Sequence, residues 1–196
     1  MQKKGEFTLK QKENQRITLT KRLLREGLLQ LMAEKNIQNI SVKELCEVSG
    51  INRSTFYNHY SCPADILTEI ENTILEDLES IWEKEYNQKN WPLNKRIEAL
   101  CTYIMEHRDL FKLLLRDSDT SSGFPALLMS ATHVHMTYER VFSYAKIEDN
   151  KQLMTTFLSN GAYFLIRQWV LEDIPKTPKE IGDLIYLVAT QGWEKQ

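Results

Sequence analysis

The chain has 196 residues, with 25 basic and 27 acidic side chains and a formal charge of -2 at pH 7. Hydrophobic residues make up 42%, an ordinary fraction for a globular protein, which excludes an intrinsically disordered chain. Glycine (7) and proline (5) are scarce, so a turn-rich β-sandwich or barrel is disfavoured and a helical fold is expected.

The N-terminal part of the chain is basic. Residues 1–60 hold 11 Lys/Arg against 6 Asp/Glu, a net charge of +5, and the remainder carries a net charge of -7. This uneven charge predicts that the N-terminal part of the chain binds a polyanion. A lysine-rich solvated tail would, however, give the same charges.

The first periodic segment predicts a helix over about residues 20–35. Its apolar residues recur at steps of three and four, as on one face of a helix. Gly27 lies on that face, which predicts a close backbone approach by another helix. Asn36 is expected to end the helix as a left-handed C-cap.

Two short helices joined by a glycine turn are predicted next. Ser41 and Glu44 fit a capping box, which would begin a helix that runs to about Val48. Gly50 suits the positive φ of a tight turn, and Asn52 is placed to cap a third helix that runs to about residue 60. This arrangement describes a helix-turn-helix. The inward-facing residues of the first short helix are predicted to be Val42, Leu45 and Val48.

The rest of the chain predicts further helices and no convincing strand. Pro63 can occupy the first turn of a long amphipathic helix. The expected fold is all-α, with about nine helices in two domains, residues 1–62 and 63–196. The predicted helices after the helix-turn-helix cover about residues 63–89, 93–107, 109–116, 125–146, 150–171 and 178–193.

The third helix has the chemistry of a helix that reads the DNA major groove. Such a helix needs short polar residues that reach base edges and apolar residues that hold it in place. Phe56 and Tyr60 are the expected anchors. The residues that supply donors, acceptors and an aromatic edge are Arg53, Ser54, Thr55, Tyr57, Asn58 and His59.

Over about residues 20–70 the sequence resembles the TetR/AcrR family of bacterial transcriptional regulators. The matched motifs are L-x-x-G-L-x-x-L-M-A-E-K, I-S-V-K-E-L-C-E-V-S-G-I and N-R-S-T-F-Y-N-H-Y-S-x-P-x-D-I-L. Gly27 stands where the family usually has alanine, and Asn36 where it usually has glycine. Pro63 replaces the usual lysine that contacts the DNA backbone, and free N–H groups at this helix start would substitute for it in part.

The resemblance implies which residues touch DNA. Its recognition-helix contacts carry over to the polar residues of the third helix named above, and Lys43 in the preceding helix joins this predicted set. The C-terminal half more weakly resembles the subgroup that includes regulators of dihydroxyacetone-kinase operons, through H-R-D-L-F-K-L-L-L at 107–115 and the closing helices.

A homodimer on a palindromic operator is also implied. One helix-turn-helix buries little surface, so specific binding needs two modules about 34–36 Å apart. Large and small apolar residues mix on the closing helices, which suits a four-helix dimer interface, although the same stripes would also pack a subunit's own core. The predicted interface residues are Phe157, Gly161, Leu165, Trp169, Ile181, Leu184, Ile185 and Val188.

The resemblance further implies a cavity in the C-terminal domain whose small-molecule effector moves the fourth helix and releases the DNA. For any single lining residue, ordinary packing is the more common explanation. The predicted lining residues are Trp82, Tyr103, His107, Phe111, His133, Met136 and Tyr138.

Other function classes lack their signatures. No phosphate loop, nucleophile elbow or H-E-x-x-H motif is present, and acidic residues such as Glu69 and Glu71 are interpreted as solvated charge, so the chain is not expected to be an enzyme. The three cysteines form no C-x-x-C pair, so neither a disulfide framework nor a zinc site is expected. No cofactor is expected either. No membrane span or signal peptide is evident, which predicts a cytoplasmic location.

The prediction is a repressor, and its alternative is a TetR-like co-regulator or activator controlled by a protein partner without a small-molecule ligand.

Overall fold

A computed structural model describes residues 2–86, 92–116 and 151–191. The described residues form eight α-helices and one short 3-10 helix, Ile37–Asn39, which confirms the all-α prediction. Of the nine predicted helices, the one over residues 125–146 lies outside the described residues. The α-helices are α1 (Gln2–Glu34), α2 (Val42–Ser49), α3 (Arg53–Tyr57), α4 (Pro63–Tyr86), α5 (Leu93–Glu106), α6 (Arg108–Arg116), α7 (Lys151–Leu171) and α8 (Pro178–Gln191).

Helix α1 begins at Gln2, well before the predicted start near residue 20. The predicted basic arm is therefore continuous with the first helix, because its Lys, Gln and Glu residues are good helix formers. The second half of α1 carries the apolar stripe, in which Leu24 and Leu28 are fully buried. Gly27 lies in the same stripe, and a Cβ atom there would stand 3.1 Å from the Cβ of Ser49 in α2. The predicted close approach at Gly27 is thus confirmed.

The end of α1 differs from the prediction. Asn36 has extended dihedral angles (φ -66°, ψ 148°) and precedes the 3-10 helix, so its assignment as a left-handed cap is wrong. Two tertiary contacts explain the path of the chain. Lys35 donates a hydrogen bond to Glu44 in α2 at 2.5 Å, and Ile40 is buried. These contacts direct the chain into α2 without a left-handed turn.

The local signals of the helix-turn-helix are confirmed. Ser41 and Glu44 form a complete capping box at the start of α2, and Gly50 takes φ +66° after its end. The side chain of Asn52 accepts a hydrogen bond from the Thr55 N–H at 2.7 Å, which caps α3. Val48 is 40% exposed, so its prediction as an inward-facing residue is wrong. It falls outside the face of α2 that carries the buried residues Leu45 and Cys46.

The described residues divide into two compact units. The first ends at Asn72 and the second begins at Thr73, so both units share α4. The sequence places the boundary at 62/63, the start of α4, whereas Ile66 and Ile70 of this helix are buried and lie in the first unit.

The second unit is held together by close helix contacts. A Cβ on Gly182 of α8 would stand 3.1 Å from the backbone nitrogen of Glu98 in α5, so these helices are in backbone contact. Arg167 of α7 donates a hydrogen bond to the Leu115 carbonyl at 3.0 Å, near the end of α6. Among the described residues, no helix is long and apolar enough to cross a membrane.

Candidate nucleic-acid interface

The predicted DNA contacts lie in and directly after α2 and α3. Four of those around α3, namely Arg53, Ser54, Tyr57 and Asn58, are exposed, and Thr55 and His59 are half-buried. Lys43 is exposed near the start of α2. The structure thus places all seven residues within one helix-turn-helix, and none is lost to the core. We call this set the reading surface: Lys43, Arg53, Ser54, Thr55, Tyr57, Asn58 and His59.

Two aromatic residues anchor the reading surface from behind. Phe56 is fully buried and Tyr60 is 7% exposed, with their ring centroids 6.0 Å apart. Tyr57 makes an edge contact to Phe56, with centroids 5.3 Å apart, yet it remains 59% exposed. Burial therefore does not account for an aromatic residue at position 57, and the ring is available to a partner.

The N-terminal end of α3 is made rigid by its cap. Besides accepting the Thr55 N–H, the Asn52 side-chain oxygen accepts the Ser54 hydroxyl at 2.8 Å. These two hydrogen bonds fix the orientation of the first turn, where a recognition helix meets base edges.

At the start of α4, two of the backbone N–H groups that the sequence suggested for a phosphate site are bound to a side chain of the same segment. Pro63 is the first residue of the helix, as predicted. The carboxylate of Asp65 accepts hydrogen bonds from the Ser61 N–H at 2.6 Å and the Cys62 N–H at 3.1 Å. These two bonds hold the pKa of Asp65 below its ordinary value. The carboxylate of Asp65 therefore already accepts both N–H groups, and its negative charge would repel a phosphate group.

A polar cluster lies behind the reading surface and was not predicted from the sequence. Oε2 of Glu69 accepts a hydrogen bond from Lys21 Nζ at 2.8 Å and another from the Tyr60 hydroxyl at 3.0 Å. Partial burial acts to raise the pKa of Glu69, but these hydrogen bonds outweigh it and keep the pKa below its ordinary value. Burial and the bond to Glu69 raise the pKa of Tyr60, so the phenol remains a donor. The spacing of 48 residues between Lys21 and Glu69 left no local signal for this contact.

Glu71, which also lies on α4, differs from its prediction. It was expected to be solvated but is only 4% exposed, because it falls on the face of the helix that also buries Leu67 and Ile74. Its Oε1 atom has no hydrogen-bond partner within the part of the chain that the structure describes. Desolvation raises the pKa of this carboxyl group.

Three of the predicted effector residues come together in the second unit. The Tyr103 ring centroid lies 4.5 Å from that of His107 and 6.1 Å from that of Phe111. Tyr103 also donates a hydrogen bond to Asp77 at 2.8 Å. His133, Met136, Tyr138 and the side chain of Trp82 lie outside the described residues. Beside the cluster is a groove of about 350 Å³, lined by Ile81, Lys95, Glu98, Ala99, Thr102, Tyr103 and Glu106.

Helices α7 and α8 expose an apolar face with a groove of about 160 Å³ between them. Of the predicted interface residues, Phe157 (62%), Leu184 (39%) and Val188 (46%) are exposed. Gly161, Leu165 and Ile185 line the groove, and Ile185 is only 5% exposed.

Two interface predictions are corrected by burial. Trp169 is fully buried and donates a hydrogen bond to the Lys176 carbonyl at 3.0 Å. Ile181 is 3% exposed. Both side chains therefore belong to the core of their own subunit. Trp169 of α7 is held against the segment that precedes α8, and the close packing of α8 on α5 turns the side of α8 that carries Ile181 inward.

Comparison with known proteins places the chain among transcriptional regulators. A TetR-type family model described as "Transcriptional regulator C-terminal region" matches residues 92–191. The HTH-type transcriptional regulator YxbF of Bacillus subtilis is 22% identical over 177 residues, which are 86% of this chain and 44% of YxbF. The chain spans about half the length of the curated relatives it matches.

Solved structures share the fold. A TetR transcriptional regulator from Streptococcus agalactiae superposes with a TM-score of 0.71 at 16% identity, over 91% of this chain and 98% of that one. FadR of Thermus thermophilus, solved in complex with lauroyl-CoA, gives 0.63 at 14% identity over 90% and 96%. The dihydroxyacetone kinase operon activator DhaS gives 0.55 at 13% identity over 87% and 93%, so the subgroup suggested by the sequence is among the similar folds.

Proposed function

The chain belongs to the TetR family of transcriptional regulators, and from this premise we propose that it is a homodimeric repressor of a palindromic operator, released by a small-molecule effector. The observation that carries the proposal is the reading surface on a capped helix, with an aromatic side chain at Tyr57 that is 59% exposed. A polar, partly aromatic helix face anchored by a buried phenylalanine suits the major groove. A cytoplasmic location follows, since the operator is there. The proposed function includes no catalytic activity.

The exposed apolar face of α7 and α8 supports the homodimer. Leu153, Phe164 and Leu187 add to the exposed predicted residues on these two helices, with exposed fractions of 69%, 57% and 47%. So many large apolar side chains on one pair of helices are costly in water and indicate a protein interface. A two-fold axis through this face would bring two helices from each subunit together, as in a four-helix bundle.

The aromatic cluster of Tyr103, His107 and Phe111 supports an effector site in the second unit. Small-molecule sites combine apolar surface with polar groups, and the adjacent groove joins Ile81, Ala99 and the Tyr103 ring to four polar or charged side chains. The lauroyl-CoA bound by Thermus thermophilus FadR and the operon controlled by DhaS make acyl-CoA esters and dihydroxyacetone the first compounds to screen.

Selection of binding sites from random duplex DNA tests the proposal. We expect the purified protein to enrich an inverted repeat with half-sites about 34–36 Å apart. The logarithm of the affinity should fall steeply with the logarithm of the salt concentration, because phosphate contacts release counterions. Enrichment of no sequence, together with weak binding that disappears at moderate salt, would contradict the proposal.

A co-regulator or activator controlled by a protein partner is the second candidate. The net charge of -7 after residue 60 favours it, because an acidic body can engage a basic protein surface. In that case the selected operator would be bound without release by any screened metabolite, and a partner protein would change the affinity for DNA instead.

A further inference from the structure

We propose that Glu69 of α4 is a positioning residue for operator binding, which fixes the reading surface to α1 and α4 through Tyr60 and Lys21. The inference rests on the proposed DNA-binding function and adds to it a residue outside the reading surface. We call the three residues Lys21, Tyr60 and Glu69 the Glu69 tie.

The Glu69 tie joins three separate elements at one oxygen atom. Lys21 lies on α1, Tyr60 directly follows the reading surface, and Glu69 lies on α4. Oε2 of Glu69 accepts both hydrogen bonds, at 2.8 Å from Lys21 and 3.0 Å from Tyr60. Lys21 Nζ also lies 5.5 Å from the centroid of the Tyr60 ring, within the range of a cation–π contact. Each pair in the triad is therefore in contact.

The Tyr60 hydroxyl is not needed to anchor the ring. The side chain is 7% exposed and packs against Phe56, which a phenylalanine at position 60 would do equally well. What the hydroxyl adds is a directed bond from the residue that follows His59 to a residue of α4. A directed bond fixes orientation, which apolar packing does not.

The exposure of the ion pair argues against a mainly stabilising role. The side chains of Lys21 and Glu69 are 38% and 47% exposed. Ion pairs exposed to this degree contribute little to folding free energy, since water screens them. The Glu69 tie is therefore suited to setting the orientation of the reading surface, while the buried apolar residues stabilise the first unit. Helix α4 continues past Asn72 into the second unit, so the tie attaches the reading surface to the helix that both units share.

Because Glu69 is negatively charged, simple charge repulsion and a positioning role predict opposite changes in DNA affinity when it is replaced. Loss of a carboxylate from a DNA-binding unit reduces repulsion of phosphates and by itself tightens binding. If Glu69 positions the reading surface, its loss weakens binding instead. Glu26 is the matched control, because it is an exposed acid on α1 that pairs with Arg22 of the same helix at 3.6 Å and, among the described residues, with no other element.

The experiment measures the affinity of four variants for an operator selected with the wild-type protein. We expect Glu69→Gln and Tyr60→Phe each to bind roughly tenfold more weakly, in line with loss of a hydrogen bond to a charged group. The losses should be less than additive in the double variant, because both substitutions act on the contact between Tyr60 and Glu69. Glu26→Gln should bind as the wild type does or more tightly.

A second readout separates positioning from loss of folded protein. Operators whose half-sites are one base pair closer or farther apart should be discriminated less sharply by Glu69→Gln than by the wild type. A reduced folded fraction would instead weaken binding to every spacing by the same factor. The charge-exchanged variant Lys21→Glu/Glu69→Lys, which restores an ion pair at the same net charge, should recover part of the affinity.

Three results would overturn the proposal, and one of them also rejects the proposed function. Wild-type affinity in Glu69→Gln or Tyr60→Phe removes the positioning role and leaves the DNA-binding function intact, as does a loss that is equal for all spacings. A wild-type protein that selects no operator rejects the proposed function and this inference together.

Discussion

Tyr57 exposes 59% of its surface on the helix whose other aromatic residue, Phe56, is fully buried. The reading surface offers this ring to a partner, so Tyr57→Ala should weaken operator binding by about 1–3 kcal/mol without unfolding the protein. Thr55→Ala should do the same. Gln38→Ala, at an exposed position in the 3-10 helix, is the control and should bind normally. Wild-type affinity in both folded α3 variants would exclude this helix as the reader.

The buried carboxyl group of Glu71 makes stability depend on pH. Its pKa is raised above the ordinary value of 4.5 by desolvation, so the folded state holds its proton to a higher pH than the unfolded state. Stability is therefore full below pH 4.5 and falls as the pH rises through the folded-state pKa. Glu71→Gln removes the ionisation, and we expect a higher melting temperature at pH 7.5, with a gain that disappears near pH 4.

Glu79→Gln provides the comparison for that measurement, because Glu79 is exposed on the same helix. It should leave the melting temperature unchanged at both pH values. An equal gain for Glu71→Gln at pH 4 and pH 7.5 would show that charge burial at position 71 is not the cause.

At the scale of the element, α3 has only five residues and cannot be stable by itself. Its first turn depends on Asn52, whose side chain accepts the Thr55 N–H at 2.7 Å. Asn52→Ala should cost about 1 kcal/mol, which corresponds to roughly fivefold faster hydrogen exchange at the Thr55 amide. Asn52→Ser keeps a capping oxygen and should restore most of the protection. Unchanged exchange in Asn52→Ala would mean that tertiary packing alone holds the helix.

Elements governed by neighbouring residues were predictable from the sequence. The capping box at Ser41, the left-handed Gly50 and the cap at Asn52 each depend on groups within four residues, and all three are found as predicted. Asn36 was not predictable in this way. Its conformation follows from tertiary contacts of its neighbours, the Lys35–Glu44 hydrogen bond and the burial of Ile40.

The polar residues of α4 show the same limit for the candidate site. Glu69 and Glu71 are two apart on one helix and are indistinguishable by local pattern, yet one pairs with Lys21 and the other is buried without a partner for Oε1 among the described residues. Which acid meets a partner is decided by residues far away in the sequence. The reading surface itself was predictable, because a DNA-contact helix needs a particular local composition directly after a turn.

At the scale of the whole molecule, the second unit has two kinds of apolar helix face. Trp169 and Ile181 are buried within their own subunit, whereas Phe157, Leu184 and Val188 remain exposed. The sequence predicted an apolar stripe on each helix and could not divide either into buried and exposed parts. Burial on α8 depends on distant contacts with α5, such as Gly182 against Glu98 and Ala189 against Leu93. Large apolar side chains exposed on one pair of helices are costly in water, which is why a second copy of the chain is the proposed occupant of this face.

Leu184→Glu tests this assignment, because a carboxylate on a desolvated interface lacks a partner and is costly to bury. We expect the variant to sediment as a monomer and to lose most of its affinity for an operator with two half-sites, since one reading surface buries too little area to bind tightly. Val48→Glu makes a similar apolar-to-acid change at almost the same exposure, 40% against 39%, and lies on the first unit. It should sediment like the wild type. If Leu184→Glu also sediments like the wild type, the exposed face of α7 and α8 is not where the subunits meet.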